Sequence, residues 1–309
     1  MMLSIHQCLS FLIKENQAMN GVIRSCARSL MFKPPARKQN GTARLRADDK
    51  NVWLSTITGD SIHCRLVCPW DKDTRLSTFA RTDSLILFMH GNADDVSSCQ
   101  TYCQWISDHS KSNMLVFDYP GYGFSSGDDN TTQEGMEEAA VTVLDYALTI
   151  LGHQTTDIFL IGKSIGSFPA VSLAAQPFAA TIRGLLLISA IASAARCVGD
   201  VQIFPVFVAR RLDSIALANI DLISKVRCPI FFVHGTLDKV VNHSNSEALF
   251  AASLSDFPPL FVEAGHNDIE SKFLNLFLQS MQEFTEFCAK KKNDDAANDS
   301  AKSPYNYLG

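Results

Sequence analysis

The stretch Ile158-Phe159-Leu160-Ile161-Gly162-Lys163-Ser164-Ile165-Gly166 decides how this chain is read. Four apolar residues, mostly strand-favouring, run into a serine with a glycine two positions to either side. The small-residue segment that follows reads as a helix. A serine carried on a tight strand-to-helix turn needs small flanking residues, because strand and helix pass close to each other there. Gly162 and Gly166 supply that room. The turn lifts the hydroxyl above the sheet and puts the backbone N–H of Ile165 at a helix start, where it can meet developing negative charge. The five-letter pattern alone arises by chance in many chains. Its weight here comes from its place at the middle strand of a strand–helix series.

Working outward, strands are predicted over 52–57, 62–67, 85–90, 114–118, 158–162, 185–189, 230–234 and 260–263. Several are continuous apolar runs, as expected where helices cover both faces of a sheet. Helices are predicted over 96–110, 132–151, 165–175, 245–252 and 268–289. The first two strands follow one another directly and should pair antiparallel at a sheet edge; the rest alternate with helices, which calls for right-handed crossovers and a mainly parallel sheet. The expected fold is therefore the α/β-hydrolase fold, with a short lid at most, between 191 and 217. The domain spans 47–289. A leader over 1–46 precedes it, and the polar tail over 290–309 reads as disordered.

A serine hydroxyl is a weak nucleophile without an adjacent base, and in this fold the partners follow in the order Ser, Asp, His. Asp238 lies in His234-Gly235-Thr236-Leu237-Asp238, directly after a buried strand. His266 lies in Glu263-Ala264-Gly265-His266-Asn267-Asp268, after the next one. Asn267 and Glu270 have capping-box spacing and are expected to start the last helix, pinning the histidine on a short loop. Of the eight histidines, His266 alone satisfies both chain order and loop position. His243 is the best decoy and reads as a surface residue, like His6, His109 and His153. His63 and His234 read as strand residues.

An oxyanion hole needs a second N–H donor from the loop after an earlier strand. His90-Gly91-Asn92-Ala93-Asp94 occupies that place, and the backbone N–H of Asn92 is the expected donor beside that of Ile165, with Ala93 as fallback. His90 reads as structural. Asp118-Tyr119-Pro120-Gly121-Tyr122-Gly123-Phe124-Ser125-Ser126-Gly127 is glycine-rich but has the wrong spacing for a dinucleotide loop, and no helix begins there. It reads as a rigid turn beside the active site. The chemistry calls for no metal and no organic cofactor.

In a chain of 309 residues, 46% hydrophobic and 19% charged, there is ample material for one large core. The formal net charge of −5 gives no reason to expect nucleic acid as a partner. The nine cysteines are an odd number without zinc-site spacing, which fits a reduced, cytoplasmic chain. The beginning of the chain is a poor signal peptide, and no apolar run is long enough to span a bilayer. The leader is basic, with Lys14, Arg24, Arg28, Lys33, Arg37, Lys38, Arg44 and Arg46 against Glu15. Within it, Cys8 and Cys26 lie on apolar helical stripes beside basic residues. An acyl chain on either, backed by basic residues, would hold the protein peripherally on a membrane; a helix packed on the core would equally account for the stripes.

Taken together, His90–Asp94, the 118–127 turn, the elbow with Pro169 after it, Ile220-Asp221-Leu222-Ile223-Ser224-Lys225-Val226, the Asp238 block and Gly265-His266-Asn267-Asp268-Ile269-Glu270 resemble the α/β-hydrolase-domain protein depalmitoylases. These are membrane-associated serine hydrolases that remove fatty acyl groups from cysteine thioesters. Phe32-Lys33-Pro34-Pro35 looks like their lead-in to the domain, and the likeness runs from there to Cys288. Lys163 stands where that family usually has glutamine, Ile188-Ser189-Ala190 replaces its His-Ser-Pro, and its N-terminal cysteine cluster is reduced to Cys8 and Cys26. The resemblance implies a Ser164–His266–Asp238 hydrolase acting on S-acylated proteins. A carboxylesterase or lysophospholipase acting on lipid esters with the same residues, and a non-catalytic scaffold of the same fold, are the competing readings.

Overall fold

The computed structural model describes residues 50–70, 82–127, 131–199 and 218–301, together with Phe32, Pro34 and Pro35. Cys8, Cys26, His6, most of the leader, residues 200–217 of the expected lid and the last eight positions lie outside the described residues.

Among the described residues, β1 (Asn51–Ser55), β2 (Ser61–Val67), β3 (Leu85–Met89), β4 (Asn113–Phe117), β5 (Ile158–Lys163), β6 (Gly184–Ile188), β7 (Ile230–Gly235) and β8 (Leu260–Val262) form one sheet. Its order is β1-β2-β4-β3-β5-β6-β7-β8. β1 pairs antiparallel with β2, and β2 with β4. Every later pairing is parallel. This is the α/β-hydrolase fold, and each of the eight predicted strands is present within two residues of its expected bounds.

Why the inner strands are unbroken apolar runs is clear from what covers them. β3, β4, β6 and β7 are buried at every position. Alternate side chains go to opposite faces. In β3, Leu85, Leu87 and Met89 enter one core, while Ile86 and Phe88 enter the other. The first core is closed by α2 (Gln133–Thr149) and α3 (Ser167–Ala174). The second is closed by α1 (Val96–Ser110) and the last helix. α1 starts where predicted because Asp95 caps it: its carboxylate accepts the Ser98 N–H at 2.7 Å, and the Ser98 hydroxyl accepts the Asp95 N–H at 2.8 Å.

Four expectations are corrected. The last helical region, expected as one piece over 268–289, is a short α7 (Ile269–Lys272) and a long α8 (Leu274–Ala301), after α4 (Ala194–Gly199), α5 (Asn219–Leu222) and α6 (Ser244–Ala252). Asn267 and Glu270 do not form the expected capping box. Asp268 holds the N-cap position instead, and Glu270 is engaged elsewhere. The tail expected to be disordered from Lys290 is helical to Ala301. No proline or glycine interrupts that stretch, and extending an existing helix gains one hydrogen bond per residue fixed. Finally, His153 was expected at the surface but is buried, whereas His109 is exposed as expected.

Candidate active site

Ser164 takes a left-handed backbone conformation, φ 54°, directly after β5. That is an uncommon state for a residue with a side chain, and the surroundings enforce it. A Cβ on Gly162 would lie 2.7 Å from the Gly166 carbonyl oxygen and 2.8 Å from Ser167 Cα. One on Gly166 would lie 2.1 Å from the Met89 carbonyl oxygen. Both glycines are therefore required, the first by the helix that follows the turn and the second by the end of the neighbouring strand β3. Ile165 follows in a 3-10 turn that leads into α3, so its N–H belongs to the first, internally unpaired turn.

The Asp238 and His266 loops are locked to each other. A Cβ on Gly235 would fall 2.2 Å from the Ala264 carbonyl oxygen. The Thr236 N–H donates to Val262 at 2.8 Å, and that of Leu237 to Ala264 at 3.0 Å. The Asp268 carboxylate accepts the Gly265 N–H at 2.5 Å and pairs with Lys272 at 2.6 Å, which folds the histidine loop back on α7.

This scaffold brings Ser164, His266 and Asp238 together. His266 Nδ1 lies 2.6 Å from Asp238 Oδ2, and Nε2 lies 3.0 Å from Ser164 Oγ. An ionised carboxylate only accepts, so Nδ1 carries the proton and the Nε2 lone pair faces the serine hydroxyl. Asp238 Oδ1 accepts the N–H groups of Val240 at 2.8 Å and Val241 at 2.9 Å. Burial alone would raise this carboxyl. Hydrogen bonds from His234 and His266, the charge His266 can carry and the Val241 N–H outweigh it, and hold Asp238 well below the ordinary carboxylate range. The Asp238 side chain is sealed from solvent while that of His266 is 11% exposed, so the relay opens outward at its reactive end. Such a relay can take a proton from the hydroxyl and return it.

His234 is the residue that sequence reasoning undervalued. It is a strand residue, as expected, but Nε2 lies 2.9 Å from the Val241 carbonyl and 3.2 Å from Asp238 Oδ2. A carbonyl only accepts, so Nε2–H is the donor to both. Nδ1 then accepts the Ser246 hydroxyl at 2.6 Å. A histidine four residues before the expected acid was the available signal. His243, the decoy, sits 3.6 Å from Glu247 on α6.

Asn92 lies in the loop after β3. The loop passes close to the elbow: a Cβ on Gly91 would sit 3.9 Å from Ser164 Cβ. Tyr122 donates to Asn92 Oδ1 at 2.6 Å, and Tyr119 to the His90 carbonyl at 2.9 Å. Both tyrosines come from the 118–127 turn, which lies beside the elbow as expected and is tied down by hydrogen bonds. Its Asp118 carboxylate accepts from Val96 N–H at 2.8 Å and Phe124 N–H at 3.1 Å, and lies 3.0 Å from His63 Nδ1. A Cβ on Gly123 (φ 48°) would strike that carboxylate. Buried His90 lies against Tyr119, the rings tilted by 38°, and turns Nδ1 to the Gly91 carbonyl, a structural place. Among the described residues, no group of three or more His, Cys, Asp or Glu side chains is arranged to hold a metal ion. No helix among them is long and apolar enough to cross a membrane.

No protein-family model matches the chain. Alpha/beta hydrolase domain-containing protein 17B of Xenopus laevis is 32% identical over 243 residues, which cover 76% of this chain and 74% of that protein. The human protein 17B is 34% identical over 203 residues, 64% of this chain and 65% of its own length. Among solved structures, the Pyrococcus furiosus esterase Pf2001 superposes with a TM-score of 0.63 over 83% of this chain and 98% of its own, at 14% identity. Alpha/beta hydrolase domain-containing protein 10 from mouse gives a TM-score of 0.55 over 76% of this chain and 98% of its own, again at 14% identity. At that identity the two structures speak for the fold alone.

Proposed function

We propose, for a chain that belongs to the family of the alpha/beta hydrolase domain-containing 17 proteins, that Ser164, His266 and Asp238 are the nucleophile, general base and orienting acid of a serine hydrolase that cleaves acyl thioesters, with S-acylated cysteines of proteins as substrate. The observation that carries the triad is the continuous relay from Asp238 Oδ2 through both ring nitrogens of His266 to Ser164 Oγ.

In this mechanism the Ser164 oxygen attacks the acyl carbonyl as its proton passes to His266 Nε2, and Asp238 stabilises the imidazolium that forms. The N–H groups of Ile165 and Asn92 face the oxyanion. Collapse of the tetrahedral intermediate expels a cysteine thiolate. With a thiol pKa of about 8.5 it is a good leaving group, and it takes the proton held by His266, which returns the imidazole to its neutral form. Water deprotonated by His266 then cleaves the Ser164 ester and restores the hydroxyl. The thioester substrate is supported by the motif blocks shared with depalmitoylases, above all the Gly265–Glu270 block. The basic leader with Cys8 and Cys26 supports peripheral attachment to the cytoplasmic face of a membrane, where S-acylated proteins reside.

A fluorophosphonate probe tests the nucleophile: the full chain should label once, and Ser164→Ala should not label at all. Equal labelling of both would overturn the assignment. Acyl-biotin exchange on cells with and without active enzyme tests the substrate, with a matched panel of thioester, lysophospholipid and short ester. A lysophospholipid turned over faster than every thioester would replace the thioester reading by lipid-ester hydrolysis.

A further inference from the structure

Lys163 is the last residue of β5 and the immediate neighbour of Ser164. Two residues earlier on the same face, Ile161 enters the core closed by α1 and α8, so Lys163 points towards that side. Its ammonium lies over the ring of Tyr102 on α1, 5.2 Å from the centroid, within the range of a cation–π contact. Among the described residues no carboxylate lies within ion-pair distance of Lys163. The Tyr102 hydroxyl in turn donates to Glu270 Oε1 at 2.8 Å. Glu270 is on α7, four residues after His266, whose Nε2 returns to Ser164 at 3.0 Å. Three contacts and two stretches of backbone therefore close a ring that runs from Ser164 to Lys163, Tyr102, Glu270 and His266, and back to Ser164.

We infer that Lys163, Tyr102 and Glu270 form a strut that fixes the separation between the nucleophile elbow and the His266 loop, and that Lys163 and Glu270 are positioning residues for the reaction. This rests on the reading of Ser164 and His266 as nucleophile and base. The three groups reinforce one another. A phenol donating to a carboxylate gains electron density in its ring, and a more negative ring face holds an ammonium more firmly. Burial and the adjacent Glu270 carboxylate push the Tyr102 phenol well above its ordinary range, so it remains a donor. On the far side the strut meets a loop that is already stiff, because Asp268 ties Gly265 to α7 and pairs with Lys272. A pull on Glu270 is thus passed to His266 instead of being absorbed. Three elements distant in sequence, β5, α1 and α7, are joined directly behind the reacting atoms.

The test is kinetic, on the full chain, with active sites titrated by the fluorophosphonate probe and a water-soluble ester or thioester as substrate. Lys163→Met and Glu270→Ala should each lower kcat about tenfold and leave KM within about twofold, since a small displacement of base from nucleophile is felt in the chemical step. The two residues do not touch, yet the double variant should also lose about tenfold and not about a hundredfold, because either change breaks the same tie. Lys163→Arg should recover most of the rate, as a guanidinium also sits on an aromatic face. If Glu270→Ala does not fold, the isosteric Tyr102→Phe paired with Lys163→Met carries the same comparison. Losses that multiply in the double variant, losses confined to KM, or wild-type rates per titrated site would each overturn the strut. A merely structural role would lower the unfolding midpoint and the number of active sites, not kcat per site. Should the wild-type chain fail to react with the probe, the nucleophile falls and the strut with it; a reactive wild type with unaffected variants removes the strut alone.

Discussion

Replacing Asp238 by asparagine inverts the hydrogen-bonding sense of one atom and leaves the shape unchanged. The two oxygens of Asp238 accept from four donors: Val240 and Val241 N–H at Oδ1, and His266 and His234 at Oδ2. The asparagine carbonyl must stay on the two backbone N–H groups, which cannot turn away. Its amide then faces His266 Nδ1, which is forced to accept, so the ring proton moves to Nε2 and nothing is left to receive the proton of Ser164. Loss of the correct tautomer at such a site costs about 10⁴ in kcat, or about 5.5 kcal/mol of transition-state stabilisation. The assay is ester hydrolysis per folded molecule, with circular dichroism to confirm the fold. A rate within tenfold of wild type would refute the relay. The substitution also has a signature in stability. The folded carboxyl of Asp238 is depressed, so its contribution is fully present above the unfolded value of about 3.9 and is lost as pH falls through the lower folded value. The gap in unfolding free energy between wild type and Asp238→Asn should therefore be widest near neutral pH and narrow on acidification.

Further outcomes follow from the same geometry. His234→Phe leaves the Val241 carbonyl and the Ser246 hydroxyl without their partner; it should destabilise by about 1–3 kcal/mol in urea and lower kcat about tenfold with KM nearly constant. Gly166→Ala drives a methyl group into the Met89 carbonyl, whereas a Cβ on exposed Gly59 (φ 93°) meets nothing within 4 Å. The first should cost about 3 kcal/mol or more and the second only the backbone term of about 1–2 kcal/mol, as read by denaturant midpoints. Burial pushes the thiols of Cys228 and Cys288 up to about 12, so iodoacetamide at pH 7.5 should leave both unmodified in the folded chain and alkylate both in urea, by peptide mapping.

The sheet was legible because its strands are unbroken apolar runs bounded by polar turns, a pattern that burial on both faces demands. The convergence of Ser164, Asp238 and His266 was legible because the fold prescribes an order along the chain, and Asp238 and His266 each follow a strand at the right point. Chain order does not show what lies behind the acid. His234 read as a strand residue, and it is one; that its ring also donates to Asp238 depends on the turn bringing Val241 back over β7. The absence of the Asn267 capping box was hidden for a similar reason. Asn267 and Glu270 have capping-box spacing, but Tyr102, 168 residues away in sequence from Glu270, competes for that carboxylate. Local pattern describes local partners, and here a distant one wins. Lys163 shows the same limit: its charge was visible beside the elbow, and the aromatic ring beneath it was not.

The distances across the sheet explain how Ser164, Asp238 and His266, divided among these strands, come to meet. In a parallel sheet all carboxyl ends lie at one edge, so loops from different strands can meet there. β8 is three strands from β5, or about 14 Å at ~4.8 Å per spacing. His266 lies four residues beyond Val262, the end of β8, and four residues reach at most about 14 Å. The histidine loop is thus just long enough to return over β7 and β6, with the imidazole supplying the last contact. β7 is one spacing nearer, and Asp238, three residues beyond Gly235, stops under the returning histidine instead of reaching the serine. Ser164 needs no reach at all: it sits directly on the end of β5, held in place by backbone crowding at Gly162 and Gly166. Its left-handed φ costs on the order of 1–3 kcal/mol. That cost holds the Ser164 hydroxyl where two loops of matched length arrive, so Ser164 is the strained member of the relay and His266 is the one whose loop length sets the distance across which a proton would pass.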